Sequence, residues 1–444
     1  MMVSRPIELG KSTKSSTGSS VLIVMTCFIG ALLNQSDVLF GMNISLADFF
    51  IVLFIGVLIN YNLFHISSTH ILVFLLFSVV IFINAVFVIP NLYQIPVYAG
   101  AVLTDYIKVV VSFLYFLVGY LIAKNGLSQT LFKWFAIAAV ILGCLGIIFS
   151  LVPIPQMVDL LFYEQVRLKG LMNDPNYFSV IQCAAIAILL RYKPLPSLFK
   201  IGSISILILS IFSSGSKTGF LTLGCLLVFW MFNTFLEGKI EVRKLIFNLI
   251  CLFVVFFFLP NIQAILSSFL EMISDKFPVF SRVELLLTDF DQAVTANGSG
   301  REEQWVIAMD LIQEFPLLGV GNTANYLTVV QGMSPMGNLA HNTYLQMAGE
   351  WGIPITLFMM YYITRVFFIS VSKGKNKQVH LTTKEMLVAF LVSSLSLSFN
   401  NSRIFWLLLG MAVWYSVELK EKTTQQKQRD EEQNKWRDTD EKYD

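Results

Sequence analysis

His341 and Arg301 are the two side chains in this sequence with the most evident chemistry. Both lie between Ser299 and Gly352, a polar stretch punctuated by Gly and Pro and set between long apolar runs. A neutral imidazole accepts a proton near neutral pH. An arginine keeps its charge and offers a planar fork of donors that matches phosphate oxygens. Arg167, Lys169, Lys217 and Arg403 repeat the basic character beside glycines or at the ends of apolar runs. Taken singly, each is better explained as a residue extending its charge to lipid headgroups. Taken together, cations converging at a water–lipid boundary suit a diphosphate.

Local elements must hold these groups in place. Ser299 and Glu302 have the spacing of a capping box, which predicts a helix from near Gly300 to about Glu314, just before Pro316. Arg301 then lies in its first turn, where unpaired backbone N–H groups favour anions. Trp305 follows one turn later on the same face, either to stack on a sugar or isoprenoid or to pack. His341 leads into Tyr344, Leu345 and Met347, a short helix for which Asn338 is the expected cap. A helix N-terminus disfavours imidazolium; the alternative is a loop histidine bonded to backbone. The other three histidines, His65, His70 and His380, fall in segments expected to be cytoplasmic loops. Gly319 and Gly321 follow no strand, so a tight turn is expected rather than a phosphate loop. Asn173 and Asp174 either bind sugar hydroxyls or make the turn that starts the next helix. Asp105 and Lys108, one turn apart, read as a structural pair, and Asp48 lies near a span end.

Composition fixes the setting. Hydrophobic residues make up 55% of the 444, charged residues only 14%, and mean hydropathy is +0.68. That excludes an ordinary soluble enzyme and predicts a multi-pass membrane protein. The net charge of +2 gives no footprint for nucleic acid. The five cysteines all fall in apolar runs, so neither a disulfide nor a zinc site is expected. The polar N-terminus, with Arg5, Lys11 and Lys14, leads into a span without a small-residue cleavage site, so no signal peptide is expected to be removed.

Apolar runs of spanning length predict about twelve transmembrane helices. They lie near 20–35, 44–60, 71–89, 105–123, 130–152, 176–190, 197–213, 218–236, 244–260, 351–372, 385–400 and 403–418. With the N-terminus inside, most of the 31 Lys and Arg residues face the cytoplasm, as the positive-inside rule requires. Lys108, Arg167, Lys169, Lys217, Lys276, Arg282, Arg301 and Arg403 are then external. The expected organisation is a cytoplasmic N-terminus (1–19), nine helices (20–260), a large extracytoplasmic loop with short helices (261–350), three helices (351–418) and a charged cytoplasmic tail (419–444).

Arg301 and Trp305, Pro316-Leu-Leu-Gly-Val-Gly321, His341-Asn342, Tyr344-Leu345 and Glu350-Trp-Gly352 together resemble the signature of the O-antigen ligase and polysaccharide polymerase family. The run Arg167 to Asn176 resembles that family's other external motif. Ser214 to Gly219 stands where the family usually shows Ser-Arg; Lys217 here keeps the charge but loses the bidentate fork. The resemblance implies an all-α integral membrane glycosyltransferase with a GT-C-like architecture in the bacterial cytoplasmic membrane. Its donor would be a glycan on undecaprenyl diphosphate, with no cofactor, metal or nucleic acid involved. His341 would be the base, and Arg301, Arg167 and Lys217 would hold the diphosphate. Lys169, Asn173, Asn342, Trp305 and Arg403 would be further substrate contacts. Membrane lipid, a flippase and chain-length regulators are the implied partners. A repeat-unit polymerase and a ligase acting on lipid A–core both fit the motifs, and polymerase is the favoured reading. A lipid-linked oligosaccharide flippase should instead show repeated halves and polar groups at mid-membrane, and a non-catalytic scaffold would leave His341 without a use.

Overall fold

The structure, a computed structural model, describes residues 13–36, 45–66, 68–94, 98–191, 196–237, 268, 271, 301–335, 337–368 and 376–417. The predicted span at 244–260, the Ser299 cap, Cys251, nearly all of 261–300 and the charged tail lie outside the described residues.

Helices dominate. In chain order they are α1 (Thr13–Leu32), α2 (Leu46–Asn60), α3 (Ser68–Ile83), α4 (Ile89–Tyr93), α5 (Ala99–Lys124), α6 (Ser128–Leu151), α7 (Pro155–Leu161), α8 (Pro175–Arg191), α9 (Ser197–Ser214) and α10 (Lys217–Glu237). Beyond the undescribed stretch come α11 (Arg301–Glu314), α12 (Thr323–Met333), α13 (Thr343–Trp351), α14 (Ile353–Phe368), α15 (Lys377–Ser393) and α16 (Arg403–Val417). A π-helical turn, Asn84–Val88, joins α3 to α4.

Among the described residues, four helical stretches are long and apolar enough to cross a membrane: Thr69–Leu92, Ala99–Lys124, Ser128–Leu151 and Ser197–Ser214. Five more are apolar but shorter, among them α2, α8, α14 and α16. Exposed Leu72, Leu76, Val52 and Phe232 show the outer faces to be as apolar as a bilayer demands. The described residues thus have the architecture of an all-α-class membrane protein. Inside the bundle α8 is buried along nearly its whole length, packed on α6, α9, α10 and α15.

Sequence explains the helix starts. Ser45 and Asp48 form the capping box of α2, with Ser45 N–H donating to Asp48 Oδ2 at 2.9 Å. Asp174 precedes Pro175, and its Oδ1 accepts from Asn176 N (2.7 Å) and Tyr177 N (3.1 Å). Proline in the first helical position and aspartate before it is a strong start signal.

Two expectations need correction. The eleventh span does not reach residue 400: α15 stops at Ser393 and residues 394–402 are non-helical. Ser394, Ser396, Ser398, Asn400 and Asn401 crowd that stretch, and such side chains compete with the helical backbone for hydrogen bonds. His70 and His380 belong to α3 and α15 rather than to loops, and His380 is buried against Tyr415. A small antiparallel hairpin, β1 (Phe162–Tyr163) with β2 (Arg167–Leu168), interrupts the helical pattern.

The predicted short helices of the large loop are α11, α12 and α13. They share a small core of Ile307, Leu311, Phe315, Val320, Tyr326 and Val330, closed by Ile89 of α4. Asp105 fastens this cap to α5. Its Oδ1 pairs with Lys108 Nζ at 2.7 Å, and its Oδ2 accepts from Ala324 N at 2.6 Å, at the N-terminus of α12.

Candidate functional site

One cavity of about 1230 Å³ opens among the ends of these helices. Its wall includes Ser36 after α1, Ser45 before α2, Lys108 of α5, Arg167 of β2, residues before α8, and the α9–α10 corner with Lys217. Arg301 and Trp305 of α11, His341 before α13, and residues 395–404 complete it. Alternate helix ends supply these pieces, so all lie on one face of the bundle.

Of the sequence-derived candidates, Arg167, Asn173, Lys217, Arg301, Trp305, His341 and Arg403 line this cavity. Lys169 and Asn342 are not in its wall. Lys169 stands just past β2, where its N–H and that of Gly170 both turn to Leu161 O, so the strand's alternation no longer aims it with Arg167. Asn342, not Asn338, caps α13: its Oδ1 accepts from Tyr344 N (3.0 Å) and Leu345 N (3.2 Å).

His341 takes a left-handed backbone conformation, φ +48°, unusual for a side-chain-bearing residue. The strain lies next to the Asn342 cap, so the chain is bent sharply to present the ring. Burial lowers the imidazole's affinity for a proton, the Arg301 cation lowers it further, and Asp174 opposes both. The neutral ring expected from the helix N-terminus is therefore reached by another cause. Arg301 is itself largely buried, and Asp174 partly offsets the cost of its charge. Among the described residues no hydrogen bond or salt bridge engages the Arg301 guanidinium.

The other cations are held differently. Arg167 Nε donates to Ser214 O at 2.9 Å and Nη2 to Asn176 Oδ1 at 3.2 Å, which ties the hairpin to the ends of α9 and α8. Lys217 is the first residue of α10. Arg403 grips Asp48 with two hydrogen bonds of 2.8 Å, and Tyr115 OH donates to the same carboxylate at 2.7 Å. Arg403 thus reaches the cavity with its charge already matched, a partnership across 355 positions that spacing alone could not reveal.

Two acidic residues stand in surroundings the sequence does not signal: Asp174, read there as a sugar contact or a turn residue, and Glu350, given no role of its own. Asp174 stands among Arg301, His341 and the α8 cap; its place before Pro175 signals the cap but not the cations. Glu350 is fully enclosed and accepts from Thr323 Oγ1 (2.6 Å), Gln346 Nε2 (2.7 Å) and Asn400 Nδ2 (3.0 Å). Burial raises its carboxyl to about 7, with the Thr323 and Gln346 bonds pulling the other way. It joins α12, α13 and the 394–402 segment. The Gly319–Gly321 turn packs beneath it: both glycines have positive φ, and a Cβ on Gly319 would strike the Glu350 backbone at 2.5 Å. The turn expected from sequence is present, and glycine is required there by conformation and by space.

Among the described residues no group of three or more His, Cys, Asp or Glu side chains is arranged to hold a metal ion. What the wall offers is a neutral imidazole, several cations and many neutral amides and hydroxyls.

Residues 202–360 match the family model described as O-antigen ligase. No curated protein matches the chain. The matched span runs from α9 into α14 and contains Lys217, Arg301, Trp305 and His341; Arg167 and the 394–402 segment fall outside it. The match spans less than half of the chain; within it lie the cavity's histidine and two of its cations, in the motif order that carries the resemblance to the O-antigen ligase and polysaccharide polymerase family.

Proposed function

We propose that this protein transfers a glycan from undecaprenyl diphosphate to an acceptor hydroxyl at the outer face of the cytoplasmic membrane. The observation that carries the reading is the meeting of His341 with Arg301, Arg167 and Lys217 in one cavity. The acceptor O–H gives its proton to the His341 imidazole while its oxygen bonds to the anomeric carbon of the donor sugar. The bond from that carbon to the diphosphate oxygen breaks, and the leaving diphosphate takes the electron pair. Arg301, Arg167 and Lys217 stabilise the charge that develops on it. A diphosphate is already a good leaving group, so no nucleotide or metal is demanded.

Topology supports the outer face. Every segment that lines the cavity lies where the charge distribution puts the exterior, with both termini in the cytoplasm. A cysteine placed at exposed Asn173 should react with an impermeant reagent in intact cells; labelling only after the cytoplasm is opened would reverse the topology.

Within this reaction class we favour polymerisation of repeat units over ligation to lipid A–core. The glycan of a deletion strain separates them. Single repeats on lipid-linked core indicate a lost polymerase, and polymer retained on undecaprenyl diphosphate a lost ligase. His341→Ala should lower transfer by about 10²–10⁴-fold, the usual contribution of general-base assistance. His341→Gln keeps hydrogen bonding without a basic nitrogen. Near wild-type rates in His341→Gln would remove the base role, and normal product from His341→Ala would remove the enzymatic reading in favour of transport.

A further inference from the structure

The cations occupy only part of the cavity wall. Much of the rest is one short segment, residues 394–402, followed by the first turn of α16; Leu395 to Ile404 line the cavity without interruption. The segment reads Ser-Leu-Ser-Leu-Ser-Phe-Asn-Asn-Ser. It carries no charge, and Arg403 beyond it is held by Asp48.

The segment is anchored on several sides. Thr343 N donates to Ser394 O (2.8 Å) and Thr343 Oγ1 to Leu397 O (2.6 Å), while Phe399 N donates to Thr343 Oγ1 (2.8 Å). Asn400 Nδ2 bonds Glu350, Ser396 Oγ meets Thr218 Oγ1 at 2.8 Å, and Ser402 Oγ meets Tyr177 OH at 2.8 Å. Within this fixed frame two polar side chains are unused. Ser398 Oγ is covered and has no hydrogen-bond partner among the described residues. Asn401 is half-buried and its amide bonds to none of them. A covered hydroxyl without a partner is costly, and such groups in native proteins call for an explanation.

We propose that residues 394–402 form a saccharide subsite, in which the Ser398 hydroxyl and the Asn401 amide hydrogen-bond sugar hydroxyls of the glycan. Sugar hydroxyls both donate and accept. A hydroxyl and a primary amide are the neutral side chains that answer both demands. A rigid frame loses little entropy when they engage. The cavity is thereby divided: cations take the diphosphate and this segment takes the sugar. The subsite deepens the glycan-transfer reading and rests on it.

The test uses purified full-length protein in nanodiscs, with lipid-linked oligosaccharide extracted from a deletion strain as substrate. Two competitors probe the two parts of the wall: inorganic pyrophosphate, and the oligosaccharide released from the same extract by mild acid. Pyrophosphate should inhibit wild type, Ser398→Ala and Asn401→Ala alike. Released oligosaccharide should inhibit wild type, and each variant should need about fivefold more of it, the loss expected for one neutral hydrogen bond. The turnover number should stay within about twofold, since neither side chain touches the reacting bond. Neither holds the fold by a hydrogen bond, so melting temperatures should match. Inhibition that is competitive against the lipid-linked donor places the subsite on the donor sugar; against a separate acceptor, on the acceptor sugar. Equal inhibition of all three proteins by the released oligosaccharide, or none of wild type, overturns the proposal. A failure of the glycan-transfer reading looks different: wild type itself would then form no glycosidic product from the extract.

Discussion

The two ends of α8 solve the same problem in opposite ways. At its C-terminal end Arg191 is buried and meets the buried Glu385 of α15, with Nη2 to Oε1 at 2.6 Å and Nε to both oxygens at 2.9 and 3.2 Å. The helix dipole favours a cation there, and a bidentate carboxylate completes the match. At the N-terminal end the carboxylate is Asp174 and the cation is Arg301. Asp174 spends one oxygen on the backbone N–H groups of the α8 cap, so it influences Arg301 by charge without engaging its guanidinium. The first arrangement is saturated within the protein and can only position helices. In the second, the guanidinium's donors remain for a ligand, and a cavity lies beside it.

If that contrast is right, the largest effect on folding should come from the closed end. Arg191→Ala leaves a buried carboxylate unmatched and should cost about 3–5 kcal/mol of stability, read as thermal melting in detergent. The double variant Arg191→Met, Glu385→Leu should recover most of that loss, with activity per folded molecule close to wild type. A double variant as unstable as the single, or folded but inactive, would mean that the pair does more than hold α8 to α15.

The open end should show the reverse pattern. Arg301→Ala should leave melting nearly unchanged and raise the transition-state barrier by about 2–4 kcal/mol, by analogy with removing one oxyanion donor. Arg301→Lys should restore part of the loss, since charge returns without the fork. Full activity in Arg301→Ala at normal expression would take Arg301 out of the diphosphate site.

Glu350 stands between these extremes, buried like Glu385 yet set against the cavity's walls. Glu350→Gln presents an N–H₂ to one of the three donors it now accepts from, and should cost about 1–3 kcal/mol of stability. Because Asn400 is one of those donors, the variant should also disturb the 394–402 segment. Apparent affinity for the lipid-linked substrate should fall more than turnover does. Unchanged melting would show that Glu350 is not the tie the geometry makes it.

Short-range signals make much of this legible in the sequence. Apolar runs locate the helices, Pro316 ends α11 after Glu314, and Gly319 with Gly321 marks a turn. The spaced motif of Arg301 and His341 points to the two groups that meet in the cavity. Long-range partnerships are not legible. Nothing local links Asp48 to Arg403 or Arg191 to Glu385, because the pairing is decided by how helices pack. The break after Ser393 is hidden for a different reason: leucine and phenylalanine alternate there with serine and keep the run apolar enough to read as membrane span. The serines and asparagines nevertheless end the helix and turn the chain along the cavity.

The smallest predicted effect probes the open end most directly. If His341 is the base, it acts only when neutral, and burial, Arg301 and Asp174 together place its pKa below the ordinary 6.5. Turnover should therefore be level at neutral pH and fall as the pH drops through that lowered value. Arg301→Gln removes the cation that suppresses protonation, so the pKa should rise and the acid limb of its residual activity should move to higher pH. Asp174→Asn keeps a competent helix cap but removes the opposing anion, so its limb should move to lower pH. The shifts have opposite sign because the two charges do. Fold disturbance at either position would change the height of the profile without moving its midpoint in a charge-dependent direction. Limbs that coincide in wild type and both variants would mean that the titrating group is not His341, or that it does not share the cavity's field with Arg301 and Asp174.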